Sequence, residues 1–301
     1  MKQIKNFDSL TAHLKELKPA KRVVAVWPSD KNTEEAIIRV LQEGWADFIL
    51  VGPPDILDTF SSLKHYADHV SVVGVADCDE AAREAVKMVR DGDADVVMKG
   101  LVNTDNLLHA VLNKETGLLP KGKVLTHLTV MQGGNYGKFL LFSDAAVIPS
   151  PTFDQRVAMV SYAVESCRAF GVERPRVALI HYSEKINPKF QVTTEYAEIK
   201  RLAAAGEFGD AIIDGPMDIK TACDAESAQI KGIASLIEGQ ADALIFPDLE
   251  AANVFYKTMT LFCKADNAGV LRGPIAPVVL PSRSDSAISK YYSLAVACLI
   301  S

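Results

Sequence analysis

The run Ser282-Arg283-Ser284-Asp285-Ser286 gathers a guanidinium, a carboxylate and three hydroxyls into five residues. An arginine fork grips two oxygens of a phosphate, and serine hydroxyls with the N–H groups of a helix start add donors. The Asp285 carboxylate supplies a base for a proton moving to or from a nucleophile. The same five residues also read as a plain helix start, with Ser284 or Asp285 as N-cap and Arg283 as a solvated charge. Spacing alone leaves both readings open. A second dense run, Met98 to Asn106, sets Lys99 and Gly100 before Asn103 and Thr104. Lys99 offers a cation and Gly100 a close backbone approach to an anion. The more ordinary account is a turn at Gly100, a cap at Asn103 or Thr104, and Lys99 in solvent.

Other polar turns carry weaker signals. Asp214, Asp218, Asp248 and Glu250 lie in two Pro-containing turns, but a hard cation needs oxygen ligands that converge, so solvated turn acids are the expectation and no metal site is assigned. Gly117 to Lys123 has the glycine and lysine spacing of a P-loop, yet Val124 stands where the metal-binding hydroxyl belongs, so a nucleoside-triphosphate site is rejected. His109 and His127 lack a partner in the sequence. The five cysteines are scattered and form no C-x-x-C, which argues against both a disulfide framework and a zinc site.

These turns need strands and helices to hold them. Short β-branched runs at 22–27, 47–52, 70–75 and 94–100 alternate with helical periodicity at 32–44 and 79–91, the pattern of a parallel sheet covered by helices. The rhythm resumes after Pro149-Ser150-Pro151 with a helix near 152–170 and strands at 176–183, 211–215 and 241–248. The chain ends in a buried strand, the Ser282–Ser286 turn and a closing helix. Ligands of such folds collect beyond the carboxyl ends of strands.

The chain has 301 residues, 49% of them hydrophobic and 23% charged, with a net charge of -6. That is enough apolar residue for one large or two medium cores, and it excludes a disordered chain. No Lys/Arg tract suits nucleic acid, no apolar run suits a membrane, and the charged N-terminus lacks a signal-peptide centre. The expectation is a cytoplasmic protein.

Several segments taken together carry a resemblance. ADVVMKG with VNTDNLLHAVLNKETGLL, then FSDAAVIPSPTFDQ, PRVALIHYSEKIN, DGPMD, KGIASLIEGQADALIFPDLEAANVFYK and LPSRSDS resemble the phosphate acetyl/butyryltransferase family, and the MKG and SRSDS turns its phosphate butyryltransferase branch. The resemblance implies reversible transfer of a short acyl group, butanoyl favoured, between CoA and inorganic phosphate. It implies direct attack in a ternary complex, CoA as substrate, no required metal or redox cofactor, and a homo-oligomer. It also implies two α/β domains of isocitrate/isopropylmalate dehydrogenase type with an interdomain cleft, residues 1–147 plus 274–301 forming one and 148–273 the other. Under it Asp285, Arg283 and Ser286 are the catalytic candidates. Lys99, Gly100, Thr104, Ser282 and Ser284 bind phosphate, and Asn253, Tyr256 and Lys257 bind CoA. Two alternatives share the architecture: an NAD- and metal-dependent decarboxylating dehydrogenase, and a non-catalytic acyl-CoA sensor.

Overall fold

The computed structural model describes residues 2–133, 136–282 and 285–301. The fold is mixed α/β, and the chain forms two compact units, Phe7–Leu125 with Asn267–Ser301, and Met1–Asn6 with Thr126–Asp266.

The first unit begins with α1 (Phe7–Glu16), β1 (Lys21–Val26), α2 (Lys31–Glu43), β2 (Ala46–Gly52), α3 (Ile56–Thr59), a 3-10 helix (Ser61–Tyr66) and β3 (Val70–Gly74). It continues with α4 (Cys78–Arg90), β4 (Val96–Lys99) and α5 (Thr104–Val111). The second unit holds β5 (Thr126–Gln132), β6 (Leu140–Ser143), α6 (Phe153–Ala169), β7 (Arg176–Ile180), α7 (Gln191–Ala204) and β8 (Ile212–Met217). It is completed by α8 (Ile219–Cys223), α9 (Ala225–Ile230), β9 (Ala243–Ile245) and α10 (Leu249–Leu261). The chain then returns to the first unit through β10 (Asp266–Arg272), β11 (Val278–Val279) and α11 (Ala287–Ile300).

In the first unit the strands lie in the order β3-β2-β1-β4-β11-β10. All of these pairs are parallel except β10 with β11. Val23 to Val26 of β1 are buried on both faces, as a central parallel strand requires. Helix α2 starts at Asp30, whose carboxylate accepts from the Thr33 N–H, and stops at Gly44 in the left-handed conformation, a position glycine takes without strain. Its apolar stripe, Ala36, Ile37, Val40 and Leu41, is buried. Helix α11 packs on α1 and α2. There the rings of Phe7 and Tyr292 stack at 3.9 Å and the Tyr291 hydroxyl donates to Glu43 Oε2 at 2.6 Å.

The second unit has the order β5-β6-β9-β7-β8, antiparallel between β5 and β6 and parallel elsewhere. A capping box between Thr152 and Gln155 begins α6, within one residue of the expected start. Where β6 ends, the buried Asp144 gathers four donors: the N–H groups of Ala146 and Val147 at 2.8 Å on one oxygen, the Thr126 hydroxyl at 2.8 Å and the His127 N–H at 2.9 Å on the other.

Two features depart from the expectation of wholly parallel sheets: the antiparallel β5–β6 and β10–β11 pairs. Strand β5 lies in a stretch where no strand was expected, because Thr126-His127-Leu128-Thr129 mixes polar and apolar residues without a clean period. Its pairing with β6, and that of β6 with β9, draws residues 126–147 into the second unit. The units divide at 125/126 and 266/267, whereas the Pro149-Ser150-Pro151 punctuation suggests a division near 147/148 and the resemblance one at 273/274.

Candidate active site

Strands β4 and β11 are parallel neighbours with Val279 opposite Met98, so the Met98–Asn106 and Ser282–Ser286 turns leave the sheet at the same carboxyl edge. A third turn, Trp27 to Asp30, leaves β1 beside β4 at that edge. Backbone bonds join it to the Lys99-Gly100 turn: the Gly100 N–H donates to the Val26 carbonyl at 2.8 Å and the Leu101 N–H to the Trp27 carbonyl at 2.9 Å. The approach is so close that a Cβ on Gly100 would lie 2.5 Å from Trp27 O and 2.6 Å from Pro28 Cα and N. Gly100 is thus required for space. Trp27 itself sits at φ +49°, a left-handed conformation that costs an ordinary side chain about 1–3 kcal/mol and persists only where its surroundings hold it.

The Ser282–Ser286 turn is fastened in several ways. Asp285 Oδ2 accepts the Ser282 N–H at 2.8 Å, and the Asp285 N–H returns to the Ser282 carbonyl at 3.1 Å. Ser286 is the N-cap of α11, its hydroxyl accepting from the Ser289 N–H at 3.2 Å. The helix start anticipated at Ser284 or Asp285 therefore lies one or two residues later, and the half-buried Asp285 is left outside the helix. Arg283 and Ser284 lie outside the described residues. From the α2 side, the Asn32 amide donates to the Asp285 carbonyl at 3.0 Å. The ammonium of Lys290 meets Asp30 Oδ1 at 2.7 Å and the Thr33 hydroxyl at 2.9 Å. Burial pushes the Asp30 carboxyl up, but Lys290 and the Thr33 hydroxyl and N–H outweigh it and hold the group below the usual carboxylate range.

Lys99 is not the solvated charge of the ordinary account. It is 4% exposed, and its ammonium donates to the Gly100 carbonyl at 3.1 Å. A cation is thereby held at the end of β4, in a turn whose Gly100 and Leu101 N–H groups are already bonded to Val26 and Trp27. Thr104 is the first residue of α5 and is exposed, with Asn103 at the N-cap position.

The three residues read for CoA lie in the second unit, on α10. Asn253 donates to the Ala145 carbonyl at 3.1 Å, Tyr256 packs against the core, and exposed Lys257 rests 4.9 Å over the Tyr256 ring. Another face of α10, with Val254, Phe255 and Thr258, borders an open, largely apolar hollow of about 640 Å³ beyond the ends of β7 and β9, lined also by Tyr182, Phe190 and Phe246. The turn acids have local duties. Asp214 pairs with Lys200 at 2.5 Å, Asp218 caps α8 and meets Lys231 at 2.5 Å, and Asp248 caps α10. Among the described residues no group of three or more His, Cys, Asp or Glu is arranged around a metal position.

The sequence reading missed the β1–α2 turn, which joins the other two. Its local signal is Pro28-Ser29-Asp30 after a β-branched run, with Asp30 and Thr33 at cap spacing. The pairing of Asp30 with Lys290 has no such signal, since the two lie 260 residues apart.

Residues 76–298 match the family described as Phosphate acetyl/butaryl transferase. The chain is 38% identical over 297 residues to a phosphate butyryltransferase of Clostridium beijerinckii, covering 98% of each chain. It is 36% identical over 298 residues to one of Clostridium acetobutylicum, covering 99% of this chain and 98% of the other. A branched-chain phosphotransacylase of Enterococcus faecalis V583 superposes with a TM-score of 0.83 at 30% identity, covering 93% and 98%. With a family match over residues 76–298 and relatives 36–38% identical almost end to end, the chain belongs to the phosphate acetyl/butaryl transferase family, whose members are acyltransferases.

Proposed function

We propose that this protein is a phosphate butyryltransferase, exchanging a short acyl group, butanoyl before others, between CoA and inorganic phosphate. The near full-length likeness to two clostridial phosphate butyryltransferases carries the reading, and three polar turns sharing one strand edge support it.

An oxygen of phosphate attacks the thioester carbonyl, the new C–O bond forms, and the tetrahedral intermediate collapses as the C–S bond breaks and CoA leaves as thiolate. Holding phosphate beside the thioester in an attacking geometry is worth roughly 7–11 kcal/mol when well aligned. Arg283 and Lys99 supply positive charge for that task, while Thr104 and the hydroxyls of Ser282, Ser284 and Ser286 add hydrogen bonds. Gly100 lets the Trp27-Pro28 backbone come close and so brings the β1 turn against the Lys99 turn. In the reverse direction the CoA thiol, with an ordinary pKa of about 8.5, passes its proton to Asp285 before attacking the acyl phosphate. Asn253, Tyr256 and Lys257 hold CoA.

In the same reading the two units act as isocitrate/isopropylmalate dehydrogenase-like domains. The protein works in the cytoplasm as a homo-oligomer and needs neither metal nor redox cofactor.

The test is thiol release from butanoyl-CoA in metal-chelated buffer, with and without inorganic phosphate, followed by acetyl-CoA and isobutanoyl-CoA. Phosphate-dependent release, fastest with butanoyl-CoA, is the expected result. A protein that binds CoA yet releases no thiol is an acyl-CoA sensor instead. A melting temperature raised by NAD with a divalent ion, and unmoved by CoA, points to the dehydrogenase.

A further inference from the structure

Lys290 occupies a place that ordinarily repels a cation. It lies in the first turn of α11 with its side chain 3% exposed. A helix N-terminus carries partial positive charge, and burial strips the ammonium of water, so both effects oppose it. Two bonds hold it there, to Asp30 Oδ1 at 2.7 Å and to the Thr33 hydroxyl at 2.9 Å. Asp30 is 30% exposed, so the cost of burial falls on the ammonium alone. What a buried ion pair adds is a fixed register between the elements that carry it.

The register fixed here is that of the helix starts on either side of the Ser282–Ser286 turn. Asp30 is already the N-cap of α2, accepting the Thr33 N–H at 3.0 Å and the Thr33 hydroxyl at 2.5 Å. Two residues on, the Asn32 amide reaches the Asp285 carbonyl at 3.0 Å. The other end of the same segment is pinned where Trp27 and Pro28 touch Gly100. The segment 27–33 therefore grips the Lys99-Gly100 turn at one end and Asp285 at the other.

We propose that Asp30, Asn32 and Lys290 are positioning residues, which hold the Ser282–Ser286 turn and its Asp285 carboxylate in register with Lys99-Gly100. The role assigned to that turn rests on the phosphate butyryltransferase reading, whereas the tether is a matter of geometry.

Two variants test it. Asn32→Ala removes one bond to the turn and leaves the ion pair intact. The double variant Asp30→Asn with Lys290→Met keeps an acceptor for the Thr33 N–H and leaves no buried charge unpaired, so it melts near the parent temperature. Both are expected to lower kcat by about tenfold or more, as a partly misplaced reacting group does. The KM for acyl-CoA should stay within about twofold, because ground-state binding is untouched. Amide hydrogen exchange across residues 282–290 should quicken in both. A kcat within about twofold of the parent in both variants, whatever their melting temperatures, overturns the proposal and leaves the pair a structural device only. If the parent itself shows no phosphate-dependent thiol release with any acyl-CoA, the reaction reading has failed, and exchange at 282–290 alone decides the tether. Unchanged exchange overturns it and faster exchange upholds it.

Discussion

Replacing Gly100 by alanine tests whether the meeting of the β1 and β4 turns is as tight as it looks and whether the chemistry depends on it. The added Cβ would stand 2.5 Å from Trp27 O and 2.6 Å from Pro28 Cα and N. These are backbone atoms, so no rotamer change relieves them. Carbon contacts settle at about 3.5–4.0 Å, so the two turns must part by about 1 Å. Gly100 does not adopt a left-handed φ, so the cost is steric. Overpacking of this kind costs about 1–3 kcal/mol, a loss of several degrees in melting temperature for a chain of this size. A shift of about 1 Å between groups that must cooperate lowers turnover by about 10²-fold. The assay is phosphate-dependent thiol release from butanoyl-CoA, measured well below the melting temperature of the variant. Gly137→Ala is the control, since its Cβ meets nothing within 4 Å, and it should behave as the parent. A Gly100→Ala protein that melts and turns over like the parent would refute the reasoning.

The remaining expectations concern single groups. Asp285→Asn keeps an oxygen for the Ser282 N–H but removes the base, and should lower kcat by about 10²–10⁴ while melting is little changed. Near-normal turnover would take Asp285 out of that role. Arg283→Ala should raise the KM for phosphate more than that for acyl-CoA, as loss of a charge-assisted anion contact does, and steady-state kinetics with each substrate varied in turn will show which moves. Asp144→Asn keeps an oxygen for the Ala146 and Val147 N–H groups and lets the Thr126 hydroxyl turn to accept, but sets the new amide N–H against the His127 N–H, and should cost the second unit about 1–3 kcal/mol in a urea titration. In the first unit, burial raises the carboxyls of Asp30 and Asp95, but bonds from Lys290 with Thr33, and from Arg22, more than offset it and hold both below their ordinary values. Their contribution is therefore fully present above the unfolded-state pKa of about 3.9 and is lost as pH falls through the lower folded values. Melting temperature should hold from about pH 7 to pH 5 and fall below about pH 4, less steeply in Asp30→Asn. An equal slope in that variant would remove Asp30 from the acid response.

Periodicity alone carried much of the framework. Strands whose residues are apolar on both faces, such as Val23–Val26 and Val96–Met98, announce themselves as short apolar runs, and α2 and α4 announce themselves by one apolar stripe. Strand β5 did not, because its mixed face takes its meaning from β6, an antiparallel partner further along the chain. The unit boundary followed that pairing and passed by the prolines.

The same division holds for the candidate site. Residue type and spacing marked Ser282–Ser286 and Lys99-Gly100 as chemically dense, and the order of segments along the chain identified the family. Both are local or sequential properties, so one sequence contains them. That Lys99 is buried, that Ser286 caps α11, that Gly100 is needed for space and that Asp30 reaches Lys290 were decided by the tertiary structure. Each depends on which strand ends share an edge and how closely two turns approach. Groups as far apart in the chain as Asp30 and Lys290, 260 positions, leave no period or motif to announce their meeting.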